Sequence, residues 1–155
     1  MRSSSKLELA IDKNVFYTAA EMDNPSIEAS AYAMMTLLKI LIECHTIVVN
    51  EEFLKDIVDK LKTCRVCNKH RAYDIIRLLN YMRAQEKKIR YVEVFRRLSG
   101  VPRKDVDIAS FALQSRDRIL LIANIDTGLA DENLVKALRE RYGVNVLSTE
   151  EFLRD

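Results

Sequence analysis

Four short runs of mainly apolar residues recur along the chain, and longer stretches with helical spacing separate them. Runs of this length are typical of strands buried on both faces of a sheet. Strands that alternate with helices indicate a parallel sheet with helices on both sides. We therefore expect an α/β fold, a three-layer α/β/α sandwich around a central parallel sheet of four or five strands. The predicted strands span residues 7–11, 46–49, 119–123 and 144–147.

The stretches between these runs predict helices with short connections. Apolar residues recur at helical spacing over about residues 24–44, 51–61, 68–87, 105–113 and 131–142. Ser148 and Glu151 have the spacing of a capping box that would open a short terminal helix. Residues 89–98 fit either a helix or an extended segment. Only three glycines and two prolines occur in 155 residues, which disfavours the many turns of a β-sandwich.

Length and composition predict one domain over residues 1–155. The net charge of +2, from 25 Lys and Arg against 23 Asp and Glu, is near zero, so nucleic-acid binding would need a local basic patch. No apolar run approaches the roughly 18 residues of a membrane helix, and the N-terminus lacks the pattern of a signal peptide. Three cysteines are too few, and odd in number, for a disulfide scaffold, which favours a reducing, cytoplasmic setting.

Four aspartates stand where a parallel sheet places its functional crevice, beyond the carboxyl ends of the strands. Asp12 and Asp126 follow predicted strands, whereas Asp56 and Asp105 lie early in predicted helices. Clustered carboxylates raise one another's pKa unless a cation lies among them, and oxygen ligands suit Mg²⁺ or Mn²⁺. Such an ion activates water and stabilises charge on a phosphoryl group. The pattern therefore predicts a metal site built from these acids.

Each acid also has a purely structural interpretation. Asp105 fits the cap of the helix that follows Pro102, and Asp56 fits a solvated helix position. Asp12 is harder to explain in that way, because a carboxylate at the end of a buried strand costs free energy without a partner. The metal-site hypothesis therefore depends on the coincidence of all four acids.

Five segments, taken in order, resemble the motifs of the PIN domain family. Asp12 lies in IDKNVFYTA, like the acid that ends the family's first strand, and Asp56 lies in IVVNEEFLKDI, like the acid of its second motif. KDVDIASFA resembles the third motif through Asp105, with Asp107 as the rival acid. LLIANIDTGLA resembles the fourth motif through Asp126, and VNVLSTEEFL resembles the closing strand and helix. The resemblance covers nearly the whole chain.

The resemblance implies a metal-dependent ribonuclease that hydrolyses RNA phosphodiesters, uses Mg²⁺ or Mn²⁺ and leaves a 5′-phosphate. The implied catalytic residues are Asp12, Asp56, Asp105 and Asp126. The implied metal ligands are Asp12, Asp105 and Asp126, supported by Asn14, Asn124 and Asp107. PIN domains are frequently dimers and often toxins held by a small antitoxin. The implied partners are therefore RNA, a second copy of the chain in a homodimer and a small antitoxin protein.

Three positions depart from the family pattern. Lys13 stands where Thr or Ser is usual, Asn124 replaces the usual hydroxyl residue, and Asp56 stands where Glu is more frequent. Lys13 either points away from the acids or competes with a metal ion. The alternative function is therefore a non-catalytic PIN-like module with a decayed metal site, which binds RNA or a protein. A phosphatase of the haloacid dehalogenase type is disfavoured, because its motif needs a second Asp where Asn14 stands.

A basic segment leads into the third acid. Residues 83–104 hold eight Lys and Arg against two Glu. Such a cluster would guide a phosphate backbone toward the acids, with Tyr81, Tyr91 and Phe95 as stacking surfaces for bases. A solvated helical face would give the same pattern. The predicted RNA-binding residues are Lys87, Lys88, Arg90, Arg96, Arg97, Arg103 and Lys104.

Cys64 and Cys67 form a Cys-x-x-Cys pair with His70 close by in the chain. The pair and the histidine supply only three zinc ligands, so a packed or reactive pair of thiols is favoured over a structural zinc site. A thioredoxin-like role is disfavoured, because the pair follows a predicted helix instead of opening one after a strand.

Overall fold

Five parallel strands form one sheet in the order β3-β2-β1-β4-β5, which confirms the predicted α/β/α fold. The structure, a computed structural model, describes residues 6–123 and 132–154. The strands are β1 (Glu8–Ile11), β2 (Thr46–Val49), β3 (Ile89–Tyr91), β4 (Ile119–Ile122) and β5 (Asn145–Ser148). The short β3 settles the ambiguous segment 89–98, which is extended at its start and irregular beyond it.

Seven helices lie in the described part of the chain, and none of them is long and apolar enough to cross a membrane. They are α1 (Lys13–Ala19), α2 (Ile27–Ile42), α3 (Glu51–Thr63), α4 (Lys69–Arg83), α5 (Val106–Gln114), α6 (Glu132–Tyr142) and α7 (Thr149–Arg154), and a 3₁₀ turn (Arg103–Asp105) precedes α5. Helix α5 packs on β1, β2 and β4, α6 packs on β5, and α7 packs on α2. Helix α1 packs on α2, α3 and α4, and α7 joins this group through α2. The right-handed crossovers of parallel strands place the group on the face of the sheet opposite α5 and α6.

Strand β1 lies at the centre of the sheet, between β2 and β4. The chain first adds β2 and β3 on one side of β1 and then returns to add β4 and β5 on the other side. This reversal is the place where open α/β sheets leave a crevice beyond the carboxyl ends of their strands. Leu9, Ala10 and Ile11 of β1 are fully buried, so the end of this strand is firmly fixed at the crevice.

Helix α1 follows β1 directly and was not predicted from the sequence. Its residues from Val15 to Ala19 are all buried, so it shows no polar face and no amphipathic stripe. Asp12 caps the helix, because its side chain accepts a hydrogen bond from the backbone N–H of Asn14. The polypeptide therefore turns from the central strand into a buried helix at Asp12, the first of the four predicted acids.

The predicted capping box at the start of α7 is confirmed. The backbone N–H of Ser148 donates to the carboxylate of Glu151 at 3.2 Å, and the N–H of Glu151 donates to the Ser148 hydroxyl at 3.1 Å. The predicted end of α4 near residue 87 is wrong by about one turn. Ala84 caps that helix after Arg83, and a turn then leads into β3.

Cys64 and Cys67 are joined in a disulfide, with their Cα atoms 5.7 Å apart. The prediction of a free thiol pair is therefore wrong, and sulfurs bonded to each other do not provide the thiolates of a zinc site. The reason is local: Cys64 caps the end of α3 and Asn68 caps the start of α4, so the tight connection between the two helices brings the two side chains together.

Candidate functional site

A cleft of about 420 Å³ lies beyond the carboxyl end of β1 and gathers acids that are far apart in the sequence. We call it the acidic cleft. Its charged and amide lining comes from α1, α3 and the entry to α5. These lining residues are Asp12, Lys13, Asn14, Asn50, Glu52, Asp56, Lys60, Lys104, Asp105 and Asp107. Of the predicted site residues, Asp12, Asp56, Asp105, Asn14 and Asp107 thus share one cleft.

Asp12 is the buried member of this set, with 3% of its surface exposed. Its backbone N–H donates to the carbonyl of Leu121 in β4 at 2.9 Å, which holds the residue at the crevice between the two strands. Burial raises the pKa of Asp12 to about 7; the N–H of Asn14 and the charge of Lys13 oppose this rise, and the charge of Asp105 adds to it. Asp12 therefore changes its charge near neutral pH.

Helix α3 supplies one wall of the acidic cleft. Glu52, Asp56 and Lys60 lie four residues apart and so share one face of the helix. Asn50 caps the helix by accepting a hydrogen bond from the N–H of Phe53 at 2.8 Å, which fixes where this face begins. Asp56 is exposed, and it lies close enough to Asp12 to share a cleft with it.

The entry to α5 supplies a further part of the lining through Lys104, Asp105 and Asp107. Asp105 occupies the cap position of α5 but makes no side-chain capping hydrogen bond there. The side-chain hydrogen bond that defines a helix cap is therefore not made by Asp105 at the start of α5. Its charge raises the pKa of Asp12, so the two carboxyl groups interact electrostatically.

Tyr17 and Lys60 belong to the acidic cleft and were missed from the sequence. Burial, with the charges of Asp56 and Asp12, raises the pKa of Tyr17 to about 12. The ammonium of Lys60 lies 4.7 Å from the centre of the Tyr17 ring, a cation–π contact. Lys60 lies one helical turn after Asp56, so the spacing places the two side chains on one helix face. Tyr17 has no such signal, because α1 shows no amphipathic stripe.

The donor set of the acidic cleft suits a hard divalent cation in kind, since Asp12, Asp56 and Asp105 offer carboxylate oxygens. The burial that raises the pKa of Asp12 is also a cost that a bound cation would offset. Within residues 6–123 and 132–154, however, no three His, Cys, Asp or Glu side chains stand close enough to hold one ion. Asp126 and Asn124, predicted as ligand and support, lie outside the described residues.

The structure divides the predicted RNA-binding residues into two groups. Lys87, Lys88 and Arg90 lie near the start of β3, at the amino edge of the sheet, away from the acidic cleft. There Lys88 donates to the carbonyl of Leu41 at 3.2 Å, and Arg90 pairs with a carboxylate of β1. Lys104 lines the acidic cleft itself. The second group also includes Arg96, Arg97 and Arg103, which line a cavity beside the 3₁₀ turn.

A scan against protein-family models found no match to this chain. Searches of curated proteins and of solved structures also found none. The residues of the acidic cleft and the motif resemblance described above therefore remain the guides to function.

Proposed function

We propose that this chain is a Mg²⁺- or Mn²⁺-dependent endoribonuclease that hydrolyses RNA phosphodiesters in the acidic cleft. The observation that carries the proposal is that Asp12, Asp56 and Asp105, contributed by three different elements, line the same cleft at the sheet's reversal point. If the three acids had only structural roles, nothing would require all of them to line one concave site. One of them is buried as well, at a cost in free energy.

In this proposal, Asp12 and Asp105 would hold the metal ion together with Asp126, and Asp56 would hold the attacking water. When bound, the ion supplies an activated water and stabilises charge on the phosphoryl group. Lys60 and Lys104 carry ammonium groups into the same cleft and attract the phosphate oxygens of the substrate. Asn14 and Asp107 lie beside these acids and orient them.

The test is cleavage of a structured single-stranded RNA by the purified chain, with Mn²⁺ or with EDTA. Asp56→Asn and Asp59→Asn form a matched pair, because both acids are exposed on α3 but only Asp56 lines the acidic cleft. We expect EDTA to abolish cleavage. We also expect Asp56→Asn to slow cleavage by roughly 100-fold or more, the usual scale for losing one charge-stabilising group, while Asp59→Asn stays near wild type. Equal rates for the two variants, or cleavage in EDTA, would contradict the proposal.

Lysines in the acidic cleft favour a second candidate, the non-catalytic RNA- or protein-binding module. Lys13, Lys60 and Lys104 place three positive charges among the acids. If they take the place of a metal ion, Mn²⁺ will leave the thermal unfolding temperature unchanged, because nothing binds the folded state preferentially. A rise in that temperature with Mn²⁺, absent in Asp12→Asn, would exclude this candidate.

We place the enzyme in the cytoplasm, as a homodimer, with a small antitoxin protein as the partner that would restrain it. In that reducing setting the Cys64–Cys67 disulfide, which lies outside the lining of the acidic cleft, would be kept reduced. For the homodimer, α2 offers an exposed apolar stripe of Ile27, Met35, Leu38 and Ile42. Met35→Asp should then shift the sedimentation coefficient from dimer to monomer. An unchanged value for that variant would remove α2 as the dimer surface.

A further inference from the structure

Three arginines of the basic segment surround a second cavity, of about 820 Å³. Its lining includes Arg96, Arg97 and Arg103 above the apolar side chains of Leu98, Val101 and Val106. We call it the arginine cavity. Its volume falls in the range of roughly 300–1,000 Å³ that is typical of sites for small organic ligands.

The three guanidinium groups are available for a ligand. Arg96, Arg97 and Arg103 are exposed, and their side chains make no hydrogen bond or ion pair with any residue that the structure describes. By contrast, Arg90 in the same basic segment is paired with Glu8 at 2.6 Å. Three uncompensated positive charges around one concave surface favour a ligand with several negative charges, such as a phosphate backbone.

The backbone beneath these arginines is fixed. The N–H of Phe95 donates to the hydroxyl of Ser110 at 3.0 Å, and the hydroxyl of Tyr142 donates to the carbonyl of Ser99 at 2.6 Å. Gly100, directly after Ser99, turns the chain at a φ of +80°, and a Cβ there would lie 3.3 Å from a guanidinium nitrogen of Arg141. The arginines therefore project from an anchored segment that needs glycine at its turn.

The arginine cavity and the acidic cleft share one short piece of backbone. Arg103 and Val106 line the arginine cavity, whereas Lys104 and Asp105 between them line the acidic cleft. The 3₁₀ turn and the first residue of α5 therefore border both sites. The apolar floor and the ring of Phe95, which is 44% exposed, offer surfaces for the faces of bases. Only a single strand exposes those faces, because a duplex buries them in its stack.

We infer that the arginine cavity binds nucleotides of single-stranded RNA that flank the phosphodiester in the acidic cleft, an inference that rests on the proposed function. The arginines contact the phosphates, and the apolar floor contacts a base. The arginine cavity should then bind single-stranded RNA more tightly than duplex RNA or an acidic peptide.

The test measures binding without cleavage, by fluorescence anisotropy of a labelled oligouridylate of about 12 nucleotides in EDTA at about 0.1 M salt. The triple variant Arg96→Ala, Arg97→Ala, Arg103→Ala is compared with a control that removes the same charge from exposed positions elsewhere, Arg65→Ala, Lys69→Ala, Arg77→Ala. We expect Kd to rise by roughly tenfold or more in the first variant and by less than about threefold in the second. The slope of log Kd against log salt should fall by about 2 in the first, for three lost phosphate contacts.

Equal Kd changes in the two triple variants would overturn the inference, as would tighter binding of a matched duplex or of an oligoglutamate peptide. Asp12→Asn separates this result from the proposed function. If that variant and the wild type both bind oligouridylate through the arginines but neither cleaves RNA, the arginine cavity stands and the nuclease proposal fails. If the wild type cleaves RNA but replacing the arginines does not change Kd, the nuclease proposal stands and the inference about the arginine cavity fails.

Discussion

Glu8 and Asp12 stand at the two ends of the same central strand, and their surroundings differ. Glu8, at the amino end of β1, accepts a hydrogen bond from the Arg90 guanidinium at 2.6 Å and another from the backbone N–H of Arg116 at 2.9 Å. The positive charge of Arg90 thus compensates this carboxylate directly.

Asp12, just past the carboxyl end of β1, is more deeply buried and has weaker compensation. It accepts a hydrogen bond from the N–H of Asn14 at a long 3.3 Å, and no cationic side chain lies within ion-pair distance of it in the described part of the chain. The comparison shows that one strand holds a carboxylate used for structure and a carboxylate held at a cost. Costly placements of that kind are concentrated at functional sites.

The largest contrast between the two acids should appear in catalysis. Asp12→Asn is expected to lower the rate of RNA cleavage by roughly 1,000-fold, because it removes a buried negative charge from the acidic cleft while Asn still caps α1. Glu8→Gln should cleave within about twofold of wild type, because it acts at the other end of the strand. Single-turnover cleavage assays in Mn²⁺ measure both rates. Similar losses of cleavage rate in the two variants would show that the two carboxylates do not differ in function.

The second-largest effect should be seen in how the free energy of unfolding depends on pH. The pKa of Asp12 is about 7 in the folded chain against an ordinary value of 3.8, so the folded state holds a proton that the unfolded state releases. The free energy of unfolding should therefore fall as pH rises from about 4 to about 7, by at most about 4 kcal/mol from this group. Asp12→Asn lacks this titration. Urea unfolding of both proteins at several pH values, without metal, gives the difference, and parallel curves would contradict the raised pKa.

A smaller effect on the free energy of unfolding is expected from Glu8, at the amino end of β1. Glu8→Gln removes the charge that Arg90 contacts and weakens the hydrogen bond from the N–H of Arg116. Because Arg90 is partly exposed, the expected loss is only about 1–2 kcal/mol in the free energy of unfolding. Arg90→Gln measured alongside, with the double variant, isolates the pair. A coupling near zero would show that Glu8 is held by backbone contacts alone.

The smallest effect concerns Lys13, whose charge lowers the pKa of Asp12. Lys13→Ser should raise that pKa further and bind Mn²⁺ about two- to fivefold more tightly, as removal of one partly screened positive charge allows. Lys55→Ser is the matched control, because Lys55 is exposed on α3 and does not line the acidic cleft. Isothermal titration gives both affinities. Weaker Mn²⁺ binding in Lys13→Ser would show that Lys13 supports the site instead of competing with it.

Strands buried on both faces were predictable from the sequence because burial leaves continuous apolar runs. β2 was predicted at its observed bounds, Thr46–Val49. β3 was ambiguous for the converse reason: of its residues only Ile89 is buried, and an exposed edge strand of three residues carries little apolar signal. α1 was missed because helix periodicity needs a polar face, and this helix is buried almost all around.

The candidate site was predictable where topology alone decides position. Asp12 follows a strand, and Asp56 and Asp105 lie near helix starts, so the reversal of a parallel sheet brings them to one cleft. Two of the lysines in this cleft were also marked by the sequence, Lys13 as a departure from the family pattern beside Asp12 and Lys104 as a predicted RNA-binding residue. Lys60 was not predicted. Its spacing places it on one helix face with Asp56, but spacing does not reveal that this face of α3 borders the cleft.

The cap that Asp12 places on α1 limits how this site can change over time. A substitution that ended the proposed chemistry would still have to supply an oxygen for the N–H of Asn14, or the buried helix would lose its cap. Asn, Ser and Thr meet that condition, whereas an apolar residue does not. If the proposed catalysis were lost in a lineage, we would therefore expect a small polar residue to remain at position 12, so that the sequence would look nearly unchanged there.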